Sequence, residues 1–294
     1  MNNKKMTVIR LGIFYLLALL PCCIMVVVVR SSCDGPIFRK AGAATVTAVG
    51  ITAMCMPSIA HFLTRLLTRE GFQDLYLELR LKKNVKAYLA SVLVVLTVMI
   101  LSMVVIRFVL AGDVSASQFW AQEEKDLRVM ALLQQIAVSC FLIFPALGEE
   151  WGWRGYMMPK LEQVMSKPAA VIVGGILWGL WHAPITVNGH NFGLDYPGFP
   201  YVGILIMCVF CILMNGFLTL LTERSGTVYP AALAHATNNN LSVGVLLTLF
   251  ASENAIGKIA EISNANMKMI LACAVLYVPV FAGSMVLLLK KKKR

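Results

Sequence analysis

Long apolar runs, rather than the alternation of an amphipathic soluble fold, dominate this chain. They cover about Val8–Val29, Ala41–Leu67, Ala87–Ala111, Val129–Gly148, Pro168–Pro184, Tyr201–Leu221, Val228–Phe250 and Met267–Leu289. A helix needs roughly 20 apolar residues to cross the hydrocarbon core of a bilayer. The pattern therefore predicts an all-α, polytopic transmembrane helical bundle of about eight spans, residues 1–294 forming a single integral membrane domain. The fourth run is expected to continue as helix through Glu149 to about Leu161. Between the runs, Arg69–Lys86 is charged and amphipathic and reads as an interfacial segment or a solvated loop. Gly112–Arg128 is mostly acidic and polar, and Ile185–Pro200 is a loop rich in Gly, Asn and Pro. Arg107, near the end of the third run, is expected to snorkel to the interface. A signal peptide competes for the first run, but its apolar core would be about 7–15 residues with a small-residue cleavage site. This run is longer and lacks such a site, so a retained helix is expected.

Composition agrees with the runs. The chain has 294 residues, 59% hydrophobic and 14% charged, whereas a soluble domain has roughly 45–50% and 25%. The net charge of +11 reads as cations at the ends of spans, not as nucleic-acid binding. With the N-terminus inside, the inside segments hold most of the 26 cations, from Lys4, Lys5 and Arg10 to the terminal run Lys290–Arg294. The other loops hold Asp34, Asp113, Glu123, Glu124, Asp126, Asp195, Glu253 and Glu261. Both termini are thus expected to be cytoplasmic. The eight cysteines lie mostly inside apolar runs and form no metal-ligand pattern; Cys208-x-x-Cys211 reads as small core residues rather than a redox pair.

Candidate chemistry comes from three polar insertions. The first is Glu149-Glu150 with Arg154. An intramembrane acid costs roughly 2.5–3.5 kcal/mol or more at the bilayer centre and is a functional-site hypothesis by default. On a helix the two carboxylates point about 100° apart. Glu150 and Arg154 share a face and can pair, which leaves Glu149 free to face something else. Two solvated charges in the headgroup zone are the alternative. The second insertion is Trp178-Gly-Leu-Trp181-His182, in which Trp178 and His182 are four apart, so the indole can orient the imidazole. The third is His235-Ala-Thr-Asn238-Asn239, which puts His235 and Asn239 on one face. Gathering these groups into one interior cavity is the cheapest arrangement. Such a set suits hydrolysis, with a carboxylate and an imidazole to activate water and His and Asn donors for an oxyanion. No cofactor is demanded. Glu149, His182 and His235 are also types that ligate a divalent metal such as zinc, although no H-E-x-x-H motif is present.

Taken together, Glu149-Glu150-x-x-x-Arg154, Trp178-x-x-x-His182 and His235-x-x-x-Asn239 resemble the three motifs of the type II CAAX prenyl endopeptidase and bacteriocin-processing (CPBP, Abi) family of intramembrane proteases. The resemblance spans about Phe144–Asn240, within a motif-bearing core of about 129–250. Trp178 stands where phenylalanine is commoner and keeps the aromatic ring. The resemblance implies an intramembrane endopeptidase in which Glu149 activates water with His182 beside it. His235 and Asn239 would be the oxyanion-side pair, and Glu150, Arg154 and Trp178 would support them. It implies a peptide or protein substrate, prenylated or bacteriocin-like, membrane lipids as surroundings, and a multi-pass location in a bacterial cell membrane. Two other readings use the same cavity without catalysis: bacteriocin self-immunity, and transport of a small ligand or proton. Internal repeats, common in transporters, are not seen.

Overall fold

The computed structural model describes residues 3–121 and 125–290. Among these the regular secondary structure is helical, with irregular connections and one isolated antiparallel bridge between Trp120 and Ala251. The long helices are α1 (Asn3–Ser32), α2 (Ala43–Leu67), α3 (Val85–Leu110), α4 (Lys125–Phe141) and α5 (Ile143–Gly152). A π-helical stretch, Trp153–Met157, joins α5 to α6 (Met158–Val164). Then come α7 (Lys167–Trp181), α8 (Tyr201–Ser225), α9 (Tyr229–Asn240), α10 (Val243–Phe250), α11 (Glu253–Glu261) and α12 (Ala265–Leu289). The protein is a multi-pass integral membrane protein.

Six helices among the described residues are long and apolar enough to cross a membrane, or seven if the bent pair 126–164 counts as one span. Eight were expected, and the difference lies at Val228–Phe250. There the polar run Asn238-Asn239-Asn240 ends α9, and the Ser242 hydroxyl accepts from the Val245 amide to start α10 afresh. The expected single helix is thus two pieces, each too short to span alone. The 45° bend between α4 and α5 also has a local cause. Pro145 has no amide hydrogen to give the Phe141 carbonyl, so the helical ladder breaks there.

Small residues let the helices carrying the polar insertions approach their neighbours closely. A β-carbon on Gly148 would stand 2.7 Å from the Met54 carbonyl oxygen, and one on Gly152 would stand 2.4 Å from Pro57. This Gly-x-x-x-Gly ridge seats α5 on α2 and fixes where Glu149 and Glu150 lie. Gly175 and Gly179 do the same for α7, with would-be β-carbons 2.4 and 2.5 Å from the α-carbons of Ile212 and Cys208 on α8. Cys208 and Cys211 are buried free thiols in this contact.

Side-chain contacts gather both chain ends on one face of the bundle. Thr7 bonds Gln163, Arg10 reaches Thr68 and Glu70, and Arg224 donates to the Leu287 carbonyl near the end of α12. Residues 68–84 cross this face as irregular chain with one 3₁₀ turn at Leu81–Lys83, exposing Phe72, Leu79 and Leu81. Glu70 sits there between Arg10, Lys160 and Tyr156. Burial raises its carboxyl, but the hydrogen bonds from Lys160 and Tyr156 and the charges of Lys160 and Arg10 outweigh it and hold the pKa below the ordinary 4.5. Arg107 does not snorkel. It is buried, donates to the Ala111 carbonyl at 3.1 Å and lies against Phe119, capping its own helix. His61 is a satisfied structural residue: Arg65 donates to its Nε2 at 2.7 Å, and its Nδ1 donates to the Trp151 carbonyl at 3.1 Å.

Candidate active site

Each polar insertion is placed by a local feature of its helix. Glu149 and Glu150 lie in the last turn of α5, four and three residues before the helix widens from the α to the π ladder at Trp153. Such widenings occur mostly as single turns inside α-helices and are frequent at functional sites. His182 sits where α7 stops, because Pro184 cannot donate back to the Leu180 carbonyl. The His182 amide bonds the Gly179 carbonyl instead of that of Trp178. The Trp178 carbonyl is left to the His182 ring, whose Nδ1 approaches it at 2.8 Å. A carbonyl oxygen only accepts, so Nδ1 carries the proton and Nε2 is the open basic atom. His235 lies in the middle of α9, on a buried face of small alanines that includes Ala231, Ala232, Ala234 and Ala236.

The three helices bring their groups to one cavity of about 410 Å³, lined by Glu149, Trp178, His182, His235, Asn238 and Asn239 among others. Glu149 is 2% exposed. Its Oε2 accepts from the Trp178 indole at 2.8 Å and from the Trp153 indole at 3.3 Å. Its Oε1 has no hydrogen-bond donor among the described residues. Glu150 is fully buried. Its Oε1 accepts from Arg154 Nη1 at 2.9 Å, the expected pair four residues apart, and from His235 Nδ1 at 2.8 Å. The guanidinium of Arg154 lies 4.0 Å over the Trp178 ring.

Glu149, His182, His235 and Asn239 therefore all line the cavity, and Glu150 turns away from it towards Arg154. Glu149 and His182 are not hydrogen-bonded to each other. Trp178 joins them, its indole holding the carboxylate and its carbonyl holding the imidazole. Asn239 is exposed on the wall and its side-chain oxygen accepts from Asn238 at 3.3 Å, while Asn238 accepts from Tyr277 at 3.1 Å. Sequence reasoning missed the Glu150–His235 bond, which links residues 85 apart and has no local signal. It also missed Trp153, whose spacing of four from Glu149 was legible. Among the described residues, no three His, Cys, Asp or Glu side chains group closely enough to hold a metal ion. Glu149, His182 and His235 share a cavity without forming a ligand set in this arrangement.

Comparison with known proteins falls on the same stretch. Residues 131–241 match the family described as type II CAAX prenyl endopeptidase, Rce1-like. The site thus falls within the stretch that is similar to this family. All three polar insertions lie inside the matched residues. A curated relative, CAAX prenyl protease 2 of Methanococcus maripaludis, is 37% identical over 57 residues, which is 19% of this chain and 21% of that protein. The match thus spans about a fifth of that relative. The matched segment holds the cavity's acid, His182, His235 and the two asparagines Asn238 and Asn239, while α2, α3 and α12 supply apolar wall.

Proposed function

We propose that the protein is an intramembrane endopeptidase that hydrolyses peptide bonds of membrane-associated or lipid-modified substrates with a water activated by Glu149 and His182. The observation that carries this reading is the arrangement of tied and open atoms. Glu149 Oε2, His182 Nδ1 and His235 Nδ1 are each fixed by a protein partner. Glu149 Oε1 and the two Nε2 atoms have none among the described residues and belong to residues lining one cavity. Preorganised groups of this kind are what hydrolysis requires.

In the proposed reaction, a water lies between Glu149 Oε1 and His182 Nε2. Its oxygen attacks the carbonyl carbon as its proton passes to Glu149. The carbonyl oxygen becomes an oxyanion and takes hydrogen bonds from His235 Nε2–H and from the Asn239 amide. Glu150 keeps its negative charge against His235 Nδ1–H, which favours the doubly protonated imidazolium needed to donate from Nε2. Glu149 then gives its proton to the leaving amine as the C–N bond breaks. Every step is carried by the chain's own groups. The apolar cavity wall, including Met54, Met99, Met207, Phe210 and Met269, fits an apolar or lipid-bearing peptide end, and a prenylated or bacteriocin-like peptide has that character.

The test is cleavage of a peptide library, with and without lipid modification, by purified protein in detergent. Glu149→Ala and a chelator form two further arms. Cleavage lost in Glu149→Ala and kept with chelator is expected. Binding without cleavage in every arm would replace the protease reading with a non-catalytic one.

A further inference from the structure

A second cavity, sharing no lining residue with the first, lies between the start of α3 and the end of α8, on the face where both chain ends meet. It is about 510 Å³ in volume. Its rim holds Lys82, Lys83, Lys86 and Arg224, and its wall is apolar, with Ala87, Ala90, Phe217, Leu220 and Leu221. No acid lines it. The two nearest acids in sequence are already engaged, Glu78 with Arg80 and Glu223 with Lys167. Lys82, Lys83 and Lys86 are exposed and make no ion pair among the described residues. Four rim cations that make no ion pair among the described residues repel each other, so an occupant that neutralises them is favoured.

Hydrogen bonds fix the mouth of the crevice. The Asn84 side chain donates to the Ser225 carbonyl at 2.9 Å, tying the two helix ends together at the mouth. Arg224 is anchored to the Leu287 carbonyl. Below the rim, small Ala87 and Ala90 on α3 face Phe217 and Leu220 on α8. From Arg224 to Phe217 is about two helical turns, roughly 10 Å down into the hydrocarbon layer. A soluble anion would leave that apolar length unfilled.

We propose that this crevice is a binding site for one anionic phospholipid, its phosphate among Lys82, Lys83, Lys86 and Arg224 and one acyl chain along Ala87, Ala90, Phe217 and Leu220. Basic pockets between membrane helices recognise lipid headgroups by this chemistry. Native mass spectrometry of the full-length protein in detergent tests it, with 1-palmitoyl-2-oleoyl-phosphatidylglycerol as probe. The phosphatidylcholine of the same chains and free glycerol 3-phosphate form the comparison arms. One phosphatidylglycerol should be retained in preference to phosphatidylcholine, and glycerol 3-phosphate should not displace it. Replacing Lys82, Lys83 and Lys86 together by Ala should weaken its association about a hundred-fold, near five-fold per lysine, while replacing all three by Arg should keep it. Ala90→Phe should weaken it with every rim charge in place. Equal retention of the two lipids would overturn the proposal, as would displacement by glycerol 3-phosphate. Unchanged binding in the folded triple-alanine protein or in Ala90→Phe would also overturn it.

Discussion

Glu150 should matter more for the fold than Glu149, although both are buried acids one residue apart. Glu150 is fully buried, and one of its oxygens takes hydrogen bonds from Arg154 at 2.9 Å and His235 at 2.8 Å. Glu150→Gln keeps the size but removes the charge. It leaves the Arg154 guanidinium, whose Nε and Nη2 already lack partners among the described residues, buried without a counter-ion. Breaking such a pair typically costs about 3–5 kcal/mol. At roughly 2–4 °C per kcal/mol for a chain of this order of size, the melting temperature should fall by about 6–20 °C. Glu149→Gln differs. Its partners are two neutral indoles, and a glutamine carbonyl can accept from them as well, so stability should hold. Turnover should still fall by about 10²–10⁴, the range for loss of a general base. Thermal unfolding of both variants in one detergent, followed by tryptophan fluorescence, gives the stabilities, and peptide cleavage gives the activities. Replacing Arg154 by Met in the Glu150→Gln background should recover part of the loss, because the stranded charge is gone. A Glu150→Gln protein as stable as the parent, or a Glu149→Gln protein that melts equally early, would refute the reasoning.

Three further outcomes are expected. Gly179→Leu should destabilise the bundle and pull α7 from α8, because its side chain would meet the Cys208 backbone at 2.5 Å; yield and melting temperature should drop well beyond those of Leu180→Ala, whose side chain is exposed. The folded pKa of Glu70 lies below its ordinary 4.5, so its stabilisation is fully present above that value and is lost as pH falls through the lower folded value; the gap in melting temperature between the parent and Glu70→Gln should be wide at neutral pH and close in acid, and a gap that grows on acidification contradicts this. From the charge bias we expect the face gathering both chain ends to be cytoplasmic, so reporters fused at either end should be active only as cytoplasmic fusions; an externally active fusion at Arg294 would show that α9 and α10 do not cross together.

The sequence alone determined the elements and their local pairs. Hydrophobic period and run length identify spans because lipid forces each segment to satisfy its own backbone, which is a property of nearby residues. For the same reason spacing of four found Glu150–Arg154, realised at 2.9 Å, and placed Trp178 beside His182, with ring centroids 5.8 Å apart. Sequence pattern also marked the three polar insertions, since a polar group in an apolar run is costly wherever it points. It misjudged Val228–Phe250, where apolar content outvoted the asparagine run and the Ser242 cap. Only the tertiary structure decided how the insertions meet. Glu150 holds His235 across 85 residues, and the Trp178 indole reaches Glu149 across 29. These bonds depend on the depth and rotation of α5, α7 and α9. Close glycine contacts on α2 and α8 set those for α5 and α7, and such packing leaves no period in the chain.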